Sequence, residues 1–199
     1  LKKYAKADIL VTIIGDYDCD GVCASAELFM LLKRIGFSNV RIRLPKRMSE
    51  GYGLSESIVD EIQQGLIITV DNGIAAVQEI AYAEGLGMTV IVTDHHEVQE
   101  ELPPAQVIVN PRQTDCSYPF KKLCGAAVAW KLVGELWKQM KLPMAALYDD
   151  LLMFAGFATV GDVMDLTGEN RILVREGLKR LRMTTHPGMS ALIEVNELA

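Results

Sequence analysis

Four short, continuously apolar runs limit what this chain can become. They are Ile9–Ile14 (ILVTII), Leu66–Val70 (LIITV), Met88–Thr93 (MTVIVT) and Val107–Val109, and a fifth run, Val40–Leu44 (VRIRL), alternates instead. A strand with one wet face alternates apolar and polar residues, whereas a strand covered on both faces does not. Helical periods fill the intervals near 22–35, 55–64 and 74–85, and Gly36, Gly65 and Gly87 stand just beyond them as stops. Strands alternating with helices predict an α/β fold: a doubly wound, mostly parallel five-stranded sheet flanked by helices. After Asn110 the strand signal fades, and residues 125–141, 147–160 and 170–183 predict a helical C-terminal portion. Pro103-Pro104 and Asn110-Pro111 mark loops.

The acidic residues and histidines fall where such a sheet binds ligands. Gly15-Asp16-Tyr17-Asp18-Cys19-Asp20-Gly21 follows the first run, Asp71-Asn72-Gly73 the third, and Asp94-His95-His96 the fourth. All three segments sit at carboxyl ends of strands, so they converge on one edge. Asp16, Asp18 and Asp20 alternate, and an extended loop would turn them to one side. So many carboxylates repel one another unless a cation neutralises them. Oxygen ligands with one or two imidazoles suit Mn²⁺ or Mg²⁺ better than zinc. The first cluster also satisfies an EF-hand loop pattern, with Glu27 in the last position. That loop needs a helix on both sides, and the β-branched run before it excludes the reading.

Composition adds limits. The net charge of −6 (20 Lys and Arg against 26 Asp and Glu) does not by itself point to nucleic acid. Four cysteines at 19, 23, 116 and 124 form no CxxC pair and read as reduced thiols in a cytoplasmic protein. No apolar run reaches membrane-span length and no signal peptide opens the chain, so no membrane partner is expected. The first residue is Leu1 rather than Met, and the chain is expected to be an excised piece of something longer.

Taken in order, DYDCDG, VDNG, DHH and a late TVGDVMDL resemble the DHH phosphoesterase superfamily over nearly the whole chain. Within it the first motif resembles RecJ-type single-strand exonucleases, whose usual DYDADG has Ala where Cys19 stands. PKRMSEGYGL (45–54), NPR (110–112), YPFKKLCGAAVAWKL (118–132) and ENRILVREGLKRL (169–181) extend the likeness.

The resemblance implies a metal-dependent 5′-to-3′ exonuclease on single-stranded nucleic acid, DNA favoured over RNA. The alternative is a phosphodiesterase of short oligoribonucleotides or cyclic dinucleotides. Two Mn²⁺ or Mg²⁺ ions would lower the pKa of a shared water for in-line attack on phosphorus. By position, the resemblance gives one ion Asp18 and Asp71, with Asp16 in support, and the other Asp20, Asp71, His95 and Asp162. Asp71 would bridge, His96 would face the phosphate, and Asp94 would orient an imidazole. Asp165, in the same late motif, reads as a turn or cap residue. Residues 1–168 would form the catalytic domain. Residues 169–199 would form a helical linker toward a C-terminal DHH-associated domain, with single-strand-binding protein or helicase contacts through missing parts. A monomer is expected.

Substrate contacts are expected from Arg47 within the basic run Arg41–Arg47, from Tyr52 stacking a base, from Arg112, and from Gly125 opening a helix toward a phosphate. Lys121 and Lys122 read equally well as surface charges. Trp130 and Trp137, on one helical face, read as packing residues, and His186 as a surface turn.

Overall fold

The structure, a computed structural model, describes residues 9–141 and 146–197. Five strands, β1 (Val11–Ile14), β2 (Val40–Arg43), β3 (Leu66–Val70), β4 (Thr89–Thr93) and β5 (Val107–Val109), form one sheet in the order β2-β1-β3-β4-β5. Every pair is parallel, with Val11 opposite both Val40 and Leu66, and Leu66 opposite Thr89.

Among the described residues there are seven helices: α1 (Cys19–Arg34), α2 (Glu56–Ile62), α3 (Val77–Gly85), α4 (Gly125–Gln139), α5 (Ala146–Gly161), α6 (Gly168–Leu181) and α7 (Pro187–Val195). Alternate residues along each strand enter two separate cores. Val11, Ile13, Leu66, Ile68 and Ile91 meet Leu28, Leu31, Val133, Trp137, Leu151 and Phe154 of α1, α4 and α5. Ile14, Ile67, Val90 and Val92 meet Ile58, Ile62 and Ile80 of α2 and α3. Burial on both sides explains the unbroken apolar runs of β1, β3 and β4. By contrast β5, equally apolar and expected to be covered on both faces, is one of the two edge strands and leaves Val107 exposed. The one alternating run, β2, lies at the sheet's edge, where Arg41 donates to Thr12 Oγ1 and Arg43 pairs with Glu50 and Glu61.

Three local expectations are corrected. The segment Asp16–Asp20 is not an extended alternating loop: Asp18 is the N-cap of α1, accepting from Gly21 N at 2.9 Å, and Asp20 already lies in the first turn. Capping chemistry outweighs strand-like alternation there. α3 begins at Val77 because Ile74 and Ala75 are taken by a turn closed by Ala76 N to Gly73 O. His186, expected in a surface turn, caps the N-terminus of α7: its Nδ1 accepts from Met189 N, and its ring stands edge-on to Phe154.

Residues 168–181 are fixed to the rest of the chain. A Cβ on Gly156 of α5 or on Gly177 of α6 would come within 2.9 Å of the other's Cα, so these helices cross at a distance that leaves no room for side chains. Trp137 is buried and Trp130 packs against the same core. The four cysteines are free. Among the described residues, no helix is long and apolar enough to cross a membrane.

Candidate active site

The order β2-β1-β3 places the sheet's switch point between β1 and β3, and ligands bind outside the carboxyl ends of strands at such a point. Gly15, Gly21 and Gly125 let backbone segments meet there. A Cβ on Gly21 would lie 2.4 Å from Asp16 N, and one on Gly125 would lie 2.6 Å from Asp71 Cβ. Asn72, within the quoted VDNG, laces the two strand ends, donating from Nδ2 to Ile14 O and Val70 O.

At the centre stands His95 Nε2, 3.1 Å from Asp71 Oδ1, 3.6 Å from Asp20 Oδ2 and 3.7 Å from Asp162 Oδ2. The three carboxylates come from β3, α1 and the C-terminal end of α5, separated by most of the sequence. Two donor groups overlap at His95: Asp20, His95 and Asp162, and Asp71, His95 and His96, the ligand atoms of each lying within 4.8 Å of one another. Asp16 and Asp18 flank these groups without entering either.

Electrostatics and hydrogen bonding agree that something positive is wanted here. Burial, then the neighbouring Asp20 and Asp18, pushes Asp71 up to about 11. Burial and Asp20 push Asp162 up to about 6, and burial also raises Asp16. Burial lowers His95, which keeps the imidazole neutral, the form that ligates metals. Asp16 Oδ1, Asp71 Oδ1 and both nitrogens of His95 are buried without a hydrogen-bond partner.

The 3.1 Å contact between His95 Nε2 and Asp71 Oδ1 is thus close but not aligned as a hydrogen bond. Two ligand atoms each ~2.1 Å from a shared octahedral centre, at right angles, lie about 3 Å apart with both lone pairs aimed at that centre. The donor set of hard carboxylates and one neutral imidazole therefore fits Mn²⁺ or Mg²⁺.

Surrounding residues hold this constellation still. Asp71 has φ +61°, a left-handed conformation rare for a residue with a Cβ, and its carbonyl accepts from Tyr52 Oη at 2.9 Å. Asp20 is buried, and its two oxygens accept from Gly125 N at 2.5 Å and Ala126 N at 2.7 Å. The N-terminus of α4 thus stabilises the Asp20 charge. This overturns the expectation for Gly125: its N–H is taken by Asp20 and its Cα lies against Asp71, so it does not receive a phosphate. Asp94 accepts from Ile74 N, His95 N and His96 N, and its Oδ1 stands 2.7 Å from His96 Nδ1. That contact raises the pKa of His96. Asp94 thus orients an imidazole, and the imidazole is that of His96.

The expected substrate contacts divide. Arg47 is exposed and its guanidinium lies 4.9 Å from the centre of the Tyr17 ring. Tyr17, Tyr52 and His96 continue as a row of edge-on rings, 6.4 and 5.9 Å between centroids. Arg43 is occupied by its two glutamates, and Arg112 is ion-paired with Glu97. Lys121 donates to Cys116 O, and Lys122 pairs with Asp165, which lies in a turn. Cys19 packs against Gly161 at the end of α5.

Comparison with known proteins follows this geometry. The chain is 42% identical over 189 residues to the single-stranded-DNA-specific exonuclease RecJ of Bacillus subtilis, covering 94% of this chain and 23% of that protein. It is 38% identical to the RecJ of Escherichia coli over 93% of this chain and 34% of that protein. The chain therefore spans about a third or less of these relatives. A crystal structure of exonuclease RecJ bound to manganese superposes with a TM-score of 0.87 at 34% identity, covering 98% of this chain and 49% of that one. The DHH family, N-terminal domain, matches residues 10–155, a stretch that takes in every strand and all three acidic clusters at the strand ends. On that match the chain belongs to the DHH family.

Proposed function

We propose that this chain is the catalytic part of a nuclease that hydrolyses phosphodiester bonds of single-stranded DNA, releasing nucleotides 5′ to 3′, with two Mn²⁺ or Mg²⁺ ions. The observation that carries the proposal is the meeting of His95 Nε2 with three carboxylates among buried, unpartnered ligand atoms. Asp20, Asp71, His95 and Asp162 would hold one ion. Asp71, with Asp18 and Asp16, would hold the other. When bound, the ions lower the pKa of water and offset charge on the phosphate.

The chain's own residues do the rest. Asp71, fixed by Tyr52 and by the close approach of Gly125, sets the centre of the site. His96, held at Nδ1 by Asp94 and more readily protonated for it, donates from Nε2 to a nonbridging phosphate oxygen. Arg47, exposed on Tyr17, grips a neighbouring phosphate of the strand. Arg112 joins it by exchanging Glu97 for phosphate, and Tyr52 offers an aromatic edge to a base. The likeness to single-stranded-DNA-specific exonucleases favours DNA over RNA.

The same reading extends to the protein that contains this chain. Residues 1–168 act as its catalytic domain and 169–199 lead to a DHH-associated domain that closes over the strand. It works as a cytoplasmic monomer, and single-strand-binding protein or helicase docks on the parts outside this chain.

The test uses the full protein containing this chain, with Mn²⁺, on an end-labelled single-stranded 20-mer and on a dinucleotide. Mononucleotide release from the 20-mer, abolished by Asp71→Ala, is the expected result. Cleavage confined to the dinucleotide would assign the protein to short oligonucleotides or cyclic dinucleotides instead. Retention of activity by Asp71→Ala at saturating Mn²⁺ would remove the metal assignment.

A further inference from the structure

Behind the His96 and Tyr52 rings lies a cavity of about 520 Å³, within the ~300–1,000 Å³ usual for small-ligand sites. Both rings line it, so the cavity is continuous with the candidate active site while lying to one side of the His95 cluster. Its floor is apolar: Leu54, Ile74 and Ala76, at the start of α2 and just before α3, contribute to it. Its polar lining mixes the amides of Asn72 and Gln99 with carboxylates. Of these, Asp94 is spent on Ile74 N, His95 N and His96, and Glu97 on Arg112, leaving Glu79 as the carboxylate free to meet a ligand. Neither Lys nor Arg lines the cavity itself.

That lining chooses among the parts of a nucleic acid. A phosphate finds an apolar floor, the Glu79 carboxylate and neither Lys nor Arg inside, and it has a better place at the cavity's mouth, beside His96 and the metal-binding residues. A base and its sugar are neutral, present flat apolar faces, and carry amino and hydroxyl donors that carboxylates accept. The opposite end of the aromatic row differs in kind, since there the cation of Arg47 lies over Tyr17. Phosphate recognition and nucleoside recognition are thus separated along one line of rings.

We infer that the cavity behind Tyr52 and His96 is a nucleoside subsite, receiving the base and sugar on one side of the scissile phosphate. The inference rests on the phosphodiesterase reading above, which supplies the phosphate position. It adds that selectivity for nucleotides over other phosphate esters comes from Leu54, Ile74 and Glu79.

Ala75 is exposed, lines the cavity and precedes α3, so a large side chain there fills the space without entering either core. Thymidine 5′-monophosphate and inorganic phosphate are titrated calorimetrically into the Mn²⁺-loaded protein, wild type and Ala75→Trp. Wild type should bind the nucleotide about tenfold or more tightly than phosphate, a gain consistent with burying a modest apolar area. In Ala75→Trp that ratio should fall to near one. A ratio near one in the wild type overturns the inference, and so does a ratio that persists in a folded Ala75→Trp. Should the variant not fold, the wild-type ratio decides alone. Hydrolysis of bis(4-nitrophenyl) phosphate, which has no nucleoside, is followed in parallel. Its absence removes the phosphodiesterase reading, whereas its presence beside a ratio near one removes only the subsite.

Discussion

Replacing Gly125 with alanine adds one methyl group, and the structure says where it goes. The new Cβ would sit 2.6 Å from Asp71 Cβ, 2.8 Å from Asp71 Oδ1 and 2.9 Å from Asp71 Cα. Carbon atoms pack comfortably at roughly 3.5–4.0 Å, so about 1 Å of displacement is required. α4 cannot easily supply it, because Ala126, Ala127, Val128 and Trp137 are buried in the core and both oxygens of Asp20 grip its first turn. Asp71 must then move, although Tyr52 and a strained φ of +61° already define its place.

Overpacking of this kind costs about 1–3 kcal/mol. Helix propensity alone would act with the opposite sign, stabilising alanine over glycine by up to ~1 kcal/mol. The steric effect should win, lowering the melting temperature of the metal-free protein by ~2–4 °C for each kcal/mol lost. Displacing a ligand through its support typically weakens metal affinity about 10–100-fold. Calorimetric Mn²⁺ titration of Gly125→Ala beside wild type, with melting curves in chelator, measures both. A folded variant with Mn²⁺ affinity within twofold of wild type would refute the argument that Gly125 exists to admit Asp71.

Two further predictions rest on the same site. His95→Ala should weaken Mn²⁺ binding and be partly rescued by excess metal, whereas His96→Ala should slow turnover with metal affinity nearly intact; equal loss of metal by both, read calorimetrically, would contradict that division. The second concerns pH: Asp71 and Asp162, with pKa raised to about 11 and about 6, favour the metal-free fold while protonated. Their contribution is complete below about pH 4 and is lost as pH rises through each folded value. Added Mn²⁺ replaces those protons, so the rise in melting temperature it produces should grow between pH 5 and 8; a flat or shrinking rise would exclude proton–metal exchange at these carboxylates.

Much of this arrangement is legible in the sequence. Strands buried on both faces announce themselves as unbroken runs, and a parallel sheet then brings Asp20, Asp71 and His95 to one edge without knowledge of a single contact. What stayed hidden was contact between distant segments. Nothing near Gly125 shows that Asp20 caps its helix, because the partners are separated by 105 positions. The alternation of Asp16, Asp18 and Asp20 misled for a physical reason: an N-cap followed by a first-turn acid carries the same spacing as an extended loop. Asp94, with its choice of His96 over His95, depended on a turn too local and too irregular for any periodicity to reveal. Basic residues were legible as charge but not as partners, so Arg43 and Arg112 gave no sign of their glutamates.

Asp162 reaches the site by a different route from the other ligands. It stands one residue past α5, its N–H bonded to Ala158 O, and α5 is held lengthwise by the crossing of Gly156 with Gly177. A helix advances about 1.5 Å per residue, so a slip of one residue along that crossing would withdraw the Asp162 carboxylate by more than half the length of a metal–oxygen bond. The glycine pair therefore sets how far α5 reaches toward the site. A methyl group added at Gly177 would be felt at the far end of α5 as a change in which divalent ion the site prefers, since Mg²⁺ accepts far less distortion than larger cations do.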